Sequence, residues 1–313
     1  MSAEDSSRHI IQSLLVNLVI AIAKFVAAFI TGSGAMLAEA IHSFADCGNQ
    51  LLLLRGVKEA KRPPDASHPM GYGRSLYFWS FMVAMLLFTG GGVFSIYEGV
   101  HHFLHPEPVE NIGLAVAILG GALLLEGWAT FGNIKELNKR RGAVRFMRFL
   151  KETKDSDLVV VFGENAAAVL GLIFALLAVV LAYVTHDARL DAMGSFVVGV
   201  ILICVAVFLA TEVKSLLVGE SADPAIKAEA IALAQAHPRI DRVLNIITMQ
   251  QGPGEVVVAA KLLMVEGLSG RELVEAINEF EVSLQQRCPE VKWSFVEPDI
   301  DKRAAFAAAQ GVG

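Results

Sequence analysis

The chain has 313 residues, 54% of them hydrophobic and only 19% charged, with a formal net charge of -6. A water-soluble domain carries roughly 25% charged residues, so a mean hydropathy of +0.53 excludes an ordinary soluble globule for the whole chain. The acidic balance, with no basic stripe, excludes a nucleic-acid partner.

A helix crossing the bilayer core needs about 20 mostly apolar residues. Six segments qualify, at roughly 10–30, 36–57, 77–101, 110–134, 158–184 and 190–213. The backbone of such runs can satisfy its hydrogen bonds in lipid only as helix. The polar first residues and the lack of a small-residue exit after the first run argue against a cleaved leader. The expected first domain is therefore an all-α six-helix membrane bundle, residues 1–213. Lys24, inside the first span, either snorkels or faces the bundle.

Charge in the connections gives the orientation. Residues 55–74 carry Arg55, Lys58, Lys61, Arg62 and Arg74, and residues 135–154 carry Lys135, Lys139, Arg140, Arg141, Arg145, Arg148, Lys151 and Lys154. Thr31–Gly34 and His101–Asn111 have no Lys or Arg, and 185–190 has only Arg189. Basic loops stay cytoplasmic. Both termini are then cytoplasmic, in an integral multi-pass protein of a bacterial inner membrane.

Residues 214–300 lose the apolar character and read as a small cytoplasmic α+β domain. Asp223 or Ser221 can cap a helix that starts at Pro224 and runs to about Ala236. Apolar residues toward Met249 suggest a strand, Gly252-Pro253-Gly254 is a turn, and Glu255–Val265 is a second strand. Ser269 and Glu272 form a capping box for a helix to about Arg287. Val291–Val296 is the third strand. The order αββαβ implies a ferredoxin- or metallochaperone-like sheet with its helices on one face. Residues 301–313 read as a disordered tail.

Ionisable residues inside a span mark function by default. Glu39, His42, Asp46, Asn49 and Gln50 fall within an arc of roughly 100° on the second helix. His42 and Asp46 lie one turn apart, and imidazole with carboxylate suits zinc and its neighbours. The plainer alternative is a His–Asp pair that only fastens helices. On the fifth span, Glu164 and Asn165 precede Ala166, Ala167, Ala168 and Gly171, small residues that let another helix approach. Either could reach a metal held by the second span, or serve as packing glue. Glu126 in the fourth span is either functional or paired. Cys47, Cys204 and Cys288 form no CxxC pair and read as packing residues. The sequence holds no nucleophile–base pair or phosphate-binding glycine loop, so an enzyme is not expected.

Leu37-Ala38-Glu39-Ala40-Ile41-His42-Ser43-Phe44-Ala45-Asp46-Cys47-Gly48-Asn49-Gln50 resembles the second-helix motif of the cation diffusion facilitator family. His68-Pro69-Met70-Gly71-Tyr72-Gly73-Arg74 resembles that family's HPxGYGR loop, and Tyr97-Glu98-Gly99 and Val296-Glu297-Pro298-Asp299 also match. The resemblance implies a homodimer in the lipid bilayer that exchanges a cytoplasmic divalent metal for protons. It implies a mid-membrane tetrahedral site, with two ligands from the second helix, His42 and Asp46, and two from the fifth. There the pattern departs. Asn165 takes the usual second aspartate position and Val161 the usual first ligand position, with Glu164 the nearest carboxylate. The ligand set expected is therefore His42, Asp46, Glu164 and Asn165, with His68 a possible secondary site in its loop. His101, His102 and His105 could pass metal outward or form an exposed loop.

His42 favours zinc as substrate, with manganese, iron, cobalt and cadmium as alternatives. Ligation needs neutral imidazole and ionised carboxylate, so metal binding releases protons, which become the counter-ion. The alternative reading is a non-transporting membrane metal sensor or scaffold, favoured if Asn165 has disabled transport.

Overall fold

The computed structural model describes residues 3–300 except 107, 108, 110, 154 and 155. The expected tail at 301–313 lies outside the described residues. The chain divides into two compact units, residues 1–59, 75–151 and 155–214, and residues 60–74, 152–154 and 215–313.

The first unit is helical. Its elements are α1 (Ala3–Thr31), α2 (Gly34–Ala60), α3 (Ser75–Leu86) and α4 (Phe94–Leu104), then α5 (Ile112–Arg141), the short α6 (Phe146–Glu152), α7 (Ser156–Thr185) and α8 (Arg189–Val218). Among the described residues, four helices are long and apolar enough to cross a membrane: Ser75–Leu104, Ile112–Arg141, Val159–Thr185 and Arg189–Val218. The described apolar run of α1 is Asn17–Thr31, and α1 and α2 bury polar groups, among them Lys24, Glu39 and His42. The outer face of α5 carries Leu124, Trp128 and Phe131 at 77%, 83% and 70% exposure. A soluble monomer rarely exposes so continuous an apolar strip, so this face is suited to lipid.

Ser33 and Asp191 together start α2. The Ser33 hydroxyl accepts from the Met36 N–H at 3.1 Å, and the Asp191 carboxylate accepts from the Ala35 N–H at 3.3 Å and from the Ser33 hydroxyl at 2.8 Å. Both satisfy donors that a helix N-terminus leaves orphaned.

Between α3 and α4 the helix widens into a π-helical stretch, Leu87–Val93, which contains Gly90, Gly91 and Gly92. Beyond it α4 lies hard against α8. A Cβ on Gly99 would stand 2.6 Å from the Phe196 nitrogen and 2.9 Å from the Ala192 carbonyl oxygen, both backbone atoms that cannot yield. Gly99→Val is therefore expected to destabilise the unit by about 1–3 kcal/mol or more. Thermal unfolding in detergent checks it; an unchanged midpoint would mean that α4 can move away from α8.

The second unit holds α9 (Pro224–Ala236), β1 (Ile240–Gly252), β2 (Glu255–Met264), α10 (Gly270–Arg287) and β3 (Val291–Pro298). The sheet order is β1-β2-β3, with β1 antiparallel to β2 and β2 parallel to β3. A parallel pair needs a crossover, and α10 supplies it. The Asp223 side chain accepts from the Ala225 N–H, and Ser269 with Glu272 closes the capping box read from the sequence. Ile226 and Ala230 of α9, Phe280 and Leu284 of α10, and Ile246, Val258, Ala260 and Leu262 of the sheet form the core. Burial raises the Glu255 pKa above the ordinary carboxylate range. Residues 60–74 belong to this unit. Gly73 lies flush with the β1–β2 hairpin, where a Cβ would meet the Glu255 carboxylate and, at 2.9 Å, the Gln251 carbonyl oxygen.

Candidate functional site

Polar side chains from four helices face one cavity of about 420 Å³ inside the helical unit. Helix α1 contributes Asn17, α2 contributes Ser43, Asp46 and Gln50, α5 contributes Glu126, and α7 contributes Glu164 and Asn165. A row of such groups within apolar helices costs several kcal/mol unless it has a use or partners.

The i, i+4 spacing places His42 and Asp46 side by side, with His42 Nδ1 3.6 Å from Asp46 Oδ1. His42 is completely buried and lies behind the cavity wall rather than on it. Neither of its ring nitrogens has a hydrogen-bond partner, nor does Asp46 Oδ1. Unpartnered buried polar atoms are uncommon in folded proteins and call for an explanation. On the facing helix, the Glu164 carboxylate accepts from the Asn49 side-chain amide at 2.6 Å. Asn49 Oδ1 is itself buried and unpartnered. Asn165 lines the cavity, and its backbone carbonyl oxygen accepts weakly from the Thr130 hydroxyl at 3.4 Å.

The four residues singled out in the sequence thus meet in one region, three on the cavity and His42 immediately behind Asp46. Val161 of α7, one turn before Asn165, also lines the cavity and offers no donor. Among the described residues, no three His, Cys, Asp or Glu side chains stand close enough to close a metal shell. The carboxylates stand around the space rather than meeting at a point.

Glu39 Oε1 comes up against Gly171 of α7, in the space that a Cβ there would take.

Sequence reading left Lys24 and Glu126 undecided. Lys24 faces inward, and its ammonium donates to Ser43 Oγ at 2.8 Å, Glu126 Oε1 at 3.1 Å and Glu39 Oε2 at 3.3 Å. Asn17 also lines the cavity, and a lone amide in an apolar run is its signal in the sequence.

The other histidines stand apart from this cavity. His68 is exposed in the 60–74 loop, its Nδ1 3.7 Å from Asp65 Oδ1 and its ring 4.2 Å from that of Tyr72. Asp65 accepts from the Tyr72 hydroxyl at 2.6 Å and the His68 N–H at 2.8 Å. The Tyr72 bond and then the His68 N–H lower its pKa below the ordinary range. His102 Nε2 pairs with Glu98 Oε1 at 2.9 Å, and His101 lies 5.2 Å from His105 between ring centres.

A family model for the cation efflux transmembrane domain matches residues 10–218. The chain is 32% identical over 265 residues to the protein named proton-coupled zinc antiporter SLC30A9, mitochondrial, of Homo sapiens, covering 84% of this chain and 46% of that one. It is 29% identical over 261 residues to metal tolerance protein C4 of Arabidopsis thaliana, covering 83% and 57%. It is 28% identical over 151 residues to zinc transporter ZitB of Escherichia coli, covering 46% and 47%. The chain spans about half the length of these curated relatives.

Proposed function

The chain belongs to the cation efflux family, and from that premise we propose that it exports a divalent transition-metal ion, zinc foremost, in exchange for protons. The observation that carries the reading is the pair of orphaned His42 nitrogens beside Asp46, at a cavity also lined by Glu164 and Asn165. Relatives named as zinc transporters support zinc as the substrate. Nitrogen with carboxylate and amide oxygen is a donor set suited to zinc. Manganese, iron, cobalt and cadmium remain alternative cargo.

In this mechanism Asp46 and Glu164 neutralise the ion, His42 supplies nitrogen, and Asn165 supplies a neutral carbonyl oxygen. Asn49 holds the Glu164 carboxylate toward the cavity through its amide N–H. Protons bind the same groups when the metal leaves, because each ligand holds either a proton or the metal. Alternating access makes this competition an exchange. His68, beside Asp65, is a secondary metal-binding candidate on the loop.

The six long helical runs, α1, α2, α3 with α4, α5, α7 and α8, are proposed as six spans, with the basic loops on the cytoplasmic side of a bacterial inner membrane. The second unit is proposed as the ferredoxin-like cytoplasmic domain of a homodimer. Ile247 and Phe295 are exposed on its sheet, with Ala259 between them in register, an apolar strip fitted to a second copy. Light scattering in detergent that found only monomer at every concentration would remove the dimer.

Calorimetric titration of the purified protein with zinc tests the site, and should show binding that releases protons. His42→Asp is expected to retain partial transport and move preference toward manganese, because oxygen replaces imidazole. Unchanged preference in a metal-competition assay would place His42 outside the shell. The Asn165 departure supports one second reading, a sensor or scaffold, which binding without flux would identify.

A further inference from the structure

The ammonium of Lys24 is sealed inside the helical unit, with none of its side chain exposed, between the carboxylates of Glu39 and Glu126. Replacing such an ion network by apolar residues is often neutral or stabilising. Packing alone therefore does not require it, and an ionisable group at this depth points to a function.

One ammonium faces two carboxyl groups. Glu39 is wholly buried, with Oε1 turned toward Gly171. The Glu126 side chain is 20% exposed and forms part of the cavity wall. Of the two, Glu126 is thus the one open to the space that Asp46 and Glu164 also line. Lys24 reaches only one Glu126 oxygen, Oε1, so a carboxylate held at one end can turn the other to an incoming cation. The orphaned nitrogens of His42, one turn before Asp46 on α2, are a separate sign that this region is built for a cation.

We propose that Glu126 is a further cation-binding group, taking the divalent ion up before it reaches Asp46, and that Lys24 is the positioning residue that clamps Glu126 to the cavity wall. The inference rests on the transport reading and adds to it two residues outside α2 and α7, Lys24 on α1 and Glu126 on α5.

Zinc flux into proteoliposomes, measured against zinc concentration, tests the proposal. Glu126→Gln keeps an oxygen for Lys24 and should fold. It should raise the half-saturating zinc concentration about tenfold, the lower end of what loss of a group supporting a metal does, while the maximal rate changes little. The double substitution Lys24→Met with Glu39→Gln preserves the net charge and should raise it similarly, because Glu126 is no longer held. Glu126→Asp should restore part of the loss. Unchanged half-saturation in both Glu126→Gln and the double variant would overturn the proposal and leave the network a helix fastener.

A readout independent of flux is the labelling of Asn17→Cys, on the same cavity, by a cationic methanethiosulfonate reagent, with Glu126 present and in Glu126→Gln. Zinc should slow labelling at least severalfold with Glu126 and much less in Glu126→Gln, and equal protection in both would overturn the binding role. If the wild-type protein carried no metal, the transport reading would fail by itself, and zinc protection of the labelled position would still decide this one.

Discussion

Asp46→Asn is expected to lower zinc transport by roughly 100-fold or more while the protein remains folded in the membrane. The substitution keeps the shape of the side chain and removes its charge. Two unit charges about 4 Å apart interact by about 4 kcal/mol at an effective dielectric near 20, and a divalent ion doubles that. Each 1.4 kcal/mol or so is tenfold in affinity, so even a largely screened loss is severe. Asp46 Oδ1 has no hydrogen-bond partner to lose, so the fold should be affected much less than the flux. Initial zinc flux into liposomes, with circular dichroism as the folding control, measures both. Wild-type flux in this variant would remove Asp46 from the site.

Glu164→Gln is expected to cost as much transport as Asp46→Asn. Asn165 cannot ionise, so without Glu164 the ion would have Asp46 alone of the four proposed ligands to offset its charge. The Asn49 amide can still donate to the Gln oxygen, so the packing of α2 on α7 is retained. Asn165→Asp should keep metal binding, tighten it, and alter the pH dependence of flux by adding a titrating group. Flux and zinc titration across pH check the pair. Normal transport in Glu164→Gln with loss in Asn165→Ala would reverse the charge assignment.

Much of this arrangement was readable in the sequence, because membrane helices and polar exceptions to them are strong signals. The polar stripe on α2 gave the face that meets α7, and the small residues Ala167, Ala168 and Gly171 gave the reason α7 can come close. The capping box at Ser269 and the Gly254 turn fixed two boundaries of the second unit, since both depend on local chemistry. The widening at Leu87–Val93 was not visible. Three glycines permit it, but the partner that uses it, α8, is about 100 residues away in sequence. Nor could the sequence place His42 behind the cavity rather than on it, because 100° per residue gives a face and not a depth. Lys24 was open for the same reason. Its partners Glu39 and Glu126 are recognisable as buried carboxylates, but only the packing of α1, α2 and α5 brings them to one ammonium. The 60–74 loop groups with the second unit because Gly73 fits the β1–β2 hairpin, a tertiary fit that a loop sequence does not announce.

Zinc flux through the purified protein in liposomes, under an imposed pH gradient, tests the central claim most directly. Zinc should move opposite to the proton flow and accumulate against its own gradient, the accumulation should end when the pH gradient is abolished, and the flux should be lost in Asp46→Asn. Folded wild-type protein that binds zinc yet carries no divalent metal under any gradient would contradict the account.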